Sequence, residues 1–170
     1  MSLKVQLSHP NYPIKELHDS VLEILEENIL LSMATIKDGN QSYINTAYFC
    51  YNKYLEFYIL TNSKSQHCCN LLSNKSVALA IFDSHQPWTE DVKGLQLRGE
   101  CELAIGKKLI EGTTLYLKRF AALGEWIKHP KDFAKGIIET KLYVIRTNWL
   151  QLYDSARFGD DNFIPISYYS

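Results

Sequence analysis

Near the start of the chain, apolar residues recur at helical spacing, at Ile14, Leu17, Val21, Ile24 and Leu25. With Asn11 as cap and Pro13 in the first turn, they predict an amphipathic helix that runs to about Asn28. From Ile29 the pattern changes. ILLSMATI and QSYINTAYFCY are β-rich runs around Lys37-Asp38-Gly39-Asn40, whose Asp-Gly pair predicts a hairpin. A second turn at Asn52-Lys53 leads into YLEFYILT, where Leu55, Phe57 and Ile59 alternate with Glu56 and Tyr58, completing a three-stranded meander. Residues 62–75 are polar at both ends around Cys68, Leu71 and Leu72 and predict a loop and a short helix. VALAIF, residues 77–82, is a continuous apolar run short enough for a strand buried on both faces. Leu95, Leu97, Cys101 and Leu103 then alternate with Gln96, Arg98, Glu100 and Glu102, the clearest period of two in the chain.

Residues 107–123 predict a helix with Ile110, Leu117 and Ala121 on one stripe, and a second short helix follows Pro130. KLYVIRTNWLQLY, residues 141–153, is rich in β-branched and aromatic residues and gives a sixth strand. The tail to Ser170 reads as irregular. Strands in mostly antiparallel order, with helices before the first and before the last, do not make an alternating βα pattern. The fold class is therefore mainly β (α+β), a six-stranded antiparallel barrel with flanking helices, in one domain over residues 1–170. Residues 43–51 and 77–82 carry apolar or aromatic groups on both faces, and a second copy of the chain is the natural cover for what the helices leave bare.

Composition narrows the function classes. With 18 Lys+Arg against 19 Asp+Glu in 170 residues, the chain lacks the basic excess of a protein whose main partner is a phosphate backbone. The N-terminus has no apolar signal core, and no run of about 18 apolar residues spans a bilayer, so a cytoplasmic protein with reduced thiols is expected. Cys50, Cys68, Cys69 and Cys101 form no CxxC pair, and His9, His18, His67, His85 and His129 are scattered; no metal is expected. Cys68-Cys69 reads as structural, since a vicinal pair is awkward as a disulfide. No GxG, Walker loop, HExxH or GxSxG is present.

The segment Leu60-Thr61-Asn62-Ser63-Lys64-Ser65-Gln66-His67 is the most informative. A strand ends in Thr61 and then presents hydroxyls, an amide, an ammonium and an imidazole just ahead of a short helix. Such a cluster suits a phosphate. The same composition also fits an ordinary solvated turn.

The order ILLSMAT, INTAYF, LEFYILTNSKSQH, NLLSNKSVALAIF and LQLRGE resembles the pyridoxamine 5'-phosphate oxidase-like FMN-binding split barrels, from about Val21 to Leu103 and more loosely through the last strand. FYILT, Lys64 with Ser65 and His67, Gly94 with Gln96, Gly99-Glu100 and Phe158-Gly159 are most similar to its YhbP-like bacterial branch. The resemblance implies a split barrel, a homodimer with FMN sites at the subunit interface, and a flavin-dependent oxidoreductase acting on a small substrate; the other function class is a non-enzymatic binding or sensor module. It implies that Asn45, Thr46 and Ala47 lie along the flavin ring and that Leu60 and Thr61 continue that wall. Lys64, Ser65, Gln66 and His67 fall at the phosphate, and Gln96 comes from the partner's strand. The family's flavin-binding members typically carry Arg-Lys where this chain has Gln66-His67, so two permanent charges become an amide and a titratable ring. Protonated His67 then supplies charge only near or below its titration range, and affinity is expected to fall as pH rises. The tail lacks the basic substrate motif of true pyridoxamine-phosphate oxidases, so vitamin B6 synthesis is not expected.

Overall fold

In a computed structural model describing residues 3–125, 139–160 and 162–169, six antiparallel strands close into a barrel. They are β2 (Leu30–Lys37), β3 (Gln41–Tyr51), β4 (Glu56–Asn62), β5 (Ser76–Phe82), β6 (Lys93–Leu103) and β7 (Thr140–Asp154), joined in the cyclic order β2-β3-β4-β7-β6-β5. The β2–β3 turn is a short 3-10 segment in which Gly39 (φ 75°) and Asn40 (φ 62°) take left-handed conformations.

Two further strands were not anticipated by the sequence pattern. β1 (Gln6–Ser8) pairs with β8 (Ile164–Tyr169), and β8 pairs in turn with β7 at Leu150–Leu152. The tail is therefore ordered rather than irregular, because Ile164 and Ile166 are buried in the main core. The second helix expected after Pro130 lies outside the described residues, as do Trp126 and His129.

Helix α1 (Ile14–Glu27) has Pro13 at its N-cap, not Asn11, and buries Leu17, Ser20, Val21, Ile24 and Leu25 in the core shared with the barrel interior. Helix α2 (Gln66–Ser73) adds Cys68 and Leu71 to the same core. Helix α3 (Gly106–Arg119) packs outside, against β3 and β7, in a second cluster of Cys50, Tyr58, Tyr116, Leu142 and Val144. Its inward face is Gly112, Thr113 and Tyr116, while Ile110, expected inside, is 56% exposed. The close approach is made at Gly112, where a Cβ would lie 2.4 Å from Tyr58 Cδ1 and 2.6 Å from Leu142 Cδ2. Short α4 (Ser155–Phe158) follows β7 and is capped by the Asp154 carboxylate, which accepts from the Arg157 amide.

The strand expected to be buried on both faces is buried on one. Along β5, Val77, Leu79 and Ile81 point into the core, while Ala78 and Phe82 are exposed and Ala80 is half-buried. The outer sheet face forms transverse rows: Ile44, Ala34, Ala78, Arg98 and Trp149 in one, and Thr46, Ser32, Ala80, Gln96 and Gln151 in the next. Small side chains at the centre and larger ones at the ends leave a groove of about 570 Å³, with the Arg98 guanidinium 4.1 Å from the Trp149 ring centroid.

Candidate functional site

The barrel wall is split between β3 and β4. Their ladder holds only at Phe49–Ile59, Cys50–Tyr58 and Tyr51–Phe57, whereas β3 runs back to Gln41 and β4 on to Asn62. Among the described residues, 41–48 of β3 therefore pair with β2 alone and present their other edge unpaired by any strand. At the apex of the split a side chain replaces the next rung. The Tyr116 hydroxyl of α3 accepts from the Leu60 amide at 3.1 Å and donates to the Tyr48 carbonyl. Its ring is 3% exposed, and burial pushes the phenol pKa up, so it remains a neutral donor.

Within the split, strand alternation sorts the candidate residues by face. Asn45 and Ala47 sit opposite core-facing Met33 and Leu31 and share the inner face; Thr46, opposite Ser32, is on the outside. The Asn45 Oδ1 atom is buried with no hydrogen-bond partner among the described residues. A buried acceptor left unpaired costs free energy, which makes it a pointer to a missing donor. The Leu60 side chain packs against the α3 cluster, so only its successor Thr61 faces inward.

At the far end of β4 the chain turns into α2 and brings Thr61, Ser65 and His67 together. His67 Nε2 lies 2.7 Å from Thr61 Oγ1 and 3.0 Å from Ser65 Oγ, and the residue is 7% exposed. Burial lowers its pKa, so the imidazole is uncharged at neutral pH. The charge expected from a protonated His67 thus belongs to a more acidic range than the sequence suggests. What the ring does instead is orient hydroxyls: in its Nε2–H tautomer the one N–H is shared between the two oxygens, which leaves both O–H groups free to donate outward.

Gln66 turns away from this cluster. Its Nε2 donates to Asn70 Oδ1 (2.8 Å), Asn70 Nδ2 donates to Thr35 Oγ1 (2.9 Å), and the Thr35 hydroxyl reaches the Tyr43 carbonyl at 3.5 Å. This polar chain ties α2 to the β2–β3 hairpin beside Asn45. Lys64 is exposed, and its ammonium meets Glu139 Oε1 at 2.5 Å. Glu139 also accepts from Asn62 Nδ2 at 3.1 Å, and its carbonyl accepts from the Ser63 amide, so it clamps the turn.

Gln96 is not part of this cluster within one chain. Three strand steps along the row from Thr46, about 14 Å by ordinary strand spacing, it sits exposed on the outer groove. Cys68 is buried but its neighbour Cys69 is exposed, so the pair does not share one environment. Tyr116 and Glu139 were not anticipated, since neither stands near the motif in sequence. Among the described residues no cluster of three or more His, Cys, Asp or Glu side chains could hold a metal, and no helix is long and apolar enough to cross a membrane.

Residues 17–152 match the family model for pyridoxamine 5'-phosphate oxidase. Solved structures share the fold at low identity. The heme binding protein from Mycobacterium smegmatis aligns at 14% identity and TM-score 0.66, over 85% of this chain and 55% of its own. HutZ, the heme storage protein from Vibrio cholerae, aligns at 17% identity and TM-score 0.58, over 81% and 94%. A putative pyridoxamine 5'-phosphate oxidase from Listeria innocua aligns at 15% identity and TM-score 0.60, over 80% and 97%. This chain thus spans little more than half the length of the mycobacterial protein. No curated protein matches it in sequence.

Proposed function

Since the chain belongs to the pyridoxamine 5'-phosphate oxidase family, we propose that it is an FMN-dependent oxidoreductase whose flavin lies in the split between β3 and β4, at the interface of a homodimer. The observation that carries this reading is the Asn45 Oδ1 on the inner face of β3, without a partner among the described residues and beside a strand edge that no other described strand takes. A flavin ring is flat and apolar with an N–H donor on its imide edge, which is the complement of that wall. Asn45 accepts from the imide edge, and the backbone of residues 45–47 lies along the ring. Thr61 and Ser65, oriented by His67, donate to the phosphate with Lys64 beside them. FMN supplies hydride or electron transfer, and the protein's part is binding and orientation, which needs no nucleophile among its side chains. The outer groove takes a second copy of the chain, bringing Gln96 of the partner subunit toward the ring.

Fluorescence-quenching titration of FMN tests this. Asn45→Leu should weaken binding about three- to tenfold, the range of one lost hydrogen bond, with unchanged melting. Bound flavin should be bleached by NAD(P)H without oxygen. Protein that quenches neither FMN nor riboflavin at micromolar concentration sinks the reading, as does a monomer near 19.6 kDa in light scattering. Two fold neighbours described as heme proteins favour a second reading, a planar-ligand carrier without turnover. Saturable binding of hemin with no flavin binding would select it.

A further inference from the structure

We infer that Glu139 is a specificity residue of this site, competing with the phosphate of a bound ligand for the Lys64 ammonium. The inference rests on the flavin reading above and deepens it.

Lys64 and Glu139 are 75 residues apart in sequence, yet the fold seats the carboxylate directly on the one cation of the Leu60–His67 segment. One carboxylate oxygen meets Lys64 Nζ at 2.5 Å, the other accepts from Asn62 Nδ2 at 3.1 Å, and the Ser63 hydroxyl donates to the Glu139 carbonyl at 3.2 Å. Three consecutive residues of the turn are thus held by the one residue that directly precedes β7. A phosphate arriving at Thr61 and Ser65 finds Lys64 already paired. It must displace Glu139 or accept a carboxylate as a near neighbour, and either reduces the gain from charge.

Nothing else in the cluster makes up the difference. His67 is held between two hydroxyls and buried, and the Gln66 amide is spent on Asn70. Among the described residues, Lys141 is a further charged group at this end, level with Thr61 on the β4–β7 ladder, and the nearby titratable side chains are Cys68, Cys69 and Tyr143. An unphosphorylated ligand meets no such competition, because a ribityl hydroxyl asks only for the neutral donors and acceptors of Thr61 and Ser65. Glu139 therefore narrows the preference for a phosphorylated ligand over its unphosphorylated form.

The test is titration of wild type, Glu139→Gln, and the double variant Glu139→Gln with Lys64→Gln, against FMN and riboflavin at low and high NaCl. Glutamine keeps an acceptor for Asn62 and the carbonyl for Ser63, so melting serves only to confirm that the turn is intact. Glu139→Gln should tighten FMN about three- to fivefold at low salt, the scale of an exposed ion pair, and leave riboflavin unchanged. High salt should erase the gain by screening, and the double variant should lose it. If both flavins bind but the FMN-to-riboflavin ratio does not move, or both tighten equally, the inference fails while the flavin reading stands. If neither flavin binds any of the three proteins, the reading itself fails and takes the inference with it.

Discussion

Tyr116→Phe removes one oxygen atom and leaves the ring in place among Cys50, Tyr58, Leu142 and Val144. That oxygen joins β3 to β4 where the ladder stops, accepting from the Leu60 amide and donating to the Tyr48 carbonyl. The two losses are unequal. Tyr48 is more than half exposed, so water can replace the donor to its carbonyl, whereas the Leu60 amide lies under α3 in a half-buried residue. An orphaned buried N–H costs about 1–3 kcal/mol, and the hydrated carbonyl adds little beyond the ordinary net hydrogen bond of about 1 kcal/mol. The sum is about 2–4 kcal/mol. For a chain of this length that is a fall in Tm of roughly 4–16 °C, since 1 kcal/mol shifts Tm by about 2–4 °C. Urea denaturation gives the free energy, and hydrogen exchange at the Leu60 amide gives the location. Protection there should drop more than at Phe57 or Ile59, which stay within the β4–β7 ladder. A loss below about 0.5 kcal/mol with unchanged protection at Leu60 would refute the view that a side chain supplies the missing rung.

Gly112→Ala should destabilise despite the better helix propensity of alanine, by about 1–2 kcal/mol net in urea, because the new Cβ overlaps Tyr58 and the Tyr58 hydroxyl is fixed to Glu111 at 2.8 Å. His67 has a folded-state pKa below its ordinary 6.5. Between those two values the unfolded chain binds more protons, so stability rises with pH there and is lost as pH falls below about 6.5; His67→Gln should flatten that part of a Tm-against-pH curve. Of the four cysteines, Cys69 alone is exposed, and burial pushes the thiols of Cys50 and Cys101 well above the usual range. A thiol-specific reagent should therefore titrate one fast group in the native protein and all four after unfolding, with Cys69→Ser abolishing the fast phase.

The barrel strands were legible because each buries alternate side chains along its own length, so periodicity alone marks Leu95, Leu97 and Cys101 as inner positions. β1 and β8 left no such mark. They are short, and each is stabilised by the other across almost the whole chain, Leu7 opposite Tyr168. The same division holds at the candidate site. Thr61, Ser65 and His67 stand within seven residues and announce themselves as a polar cluster after a strand. Tyr116 and Glu139 meet the same segment at Leu60 and Lys64, from 56 and 75 positions away, and no local pattern encodes a contact made by packing. VALAIF misled in a different way. Beside the exposed Phe82, its outer residues are the small Ala78 and Ala80, and a floor of alanines carries the same hydrophobic signature as a buried face.

Replacing an Arg-Lys pair by Gln66-His67 shifts the source of binding free energy at such a site. Charge-assisted hydrogen bonds to phosphate are roughly twice as strong as neutral ones. Here the buried imidazole orients hydroxyls, the amide serves the Asn70–Thr35 chain, and the ammonium is shared with a carboxylate. On the proposed reading, a ligand gains comparatively little at the cradle and gains the rest along the split, by covering the edge of β3 and meeting Asn45. The width of that split is set at its apex by Tyr116 and on its far side by α2, which the Gln66–Asn70–Thr35 chain holds to the hairpin. On that reading, occupancy depends more on how the wall is held open than on charge at its end. Tyr116→Phe should accordingly weaken FMN and riboflavin by the same factor, whereas Glu139→Gln moves FMN alone.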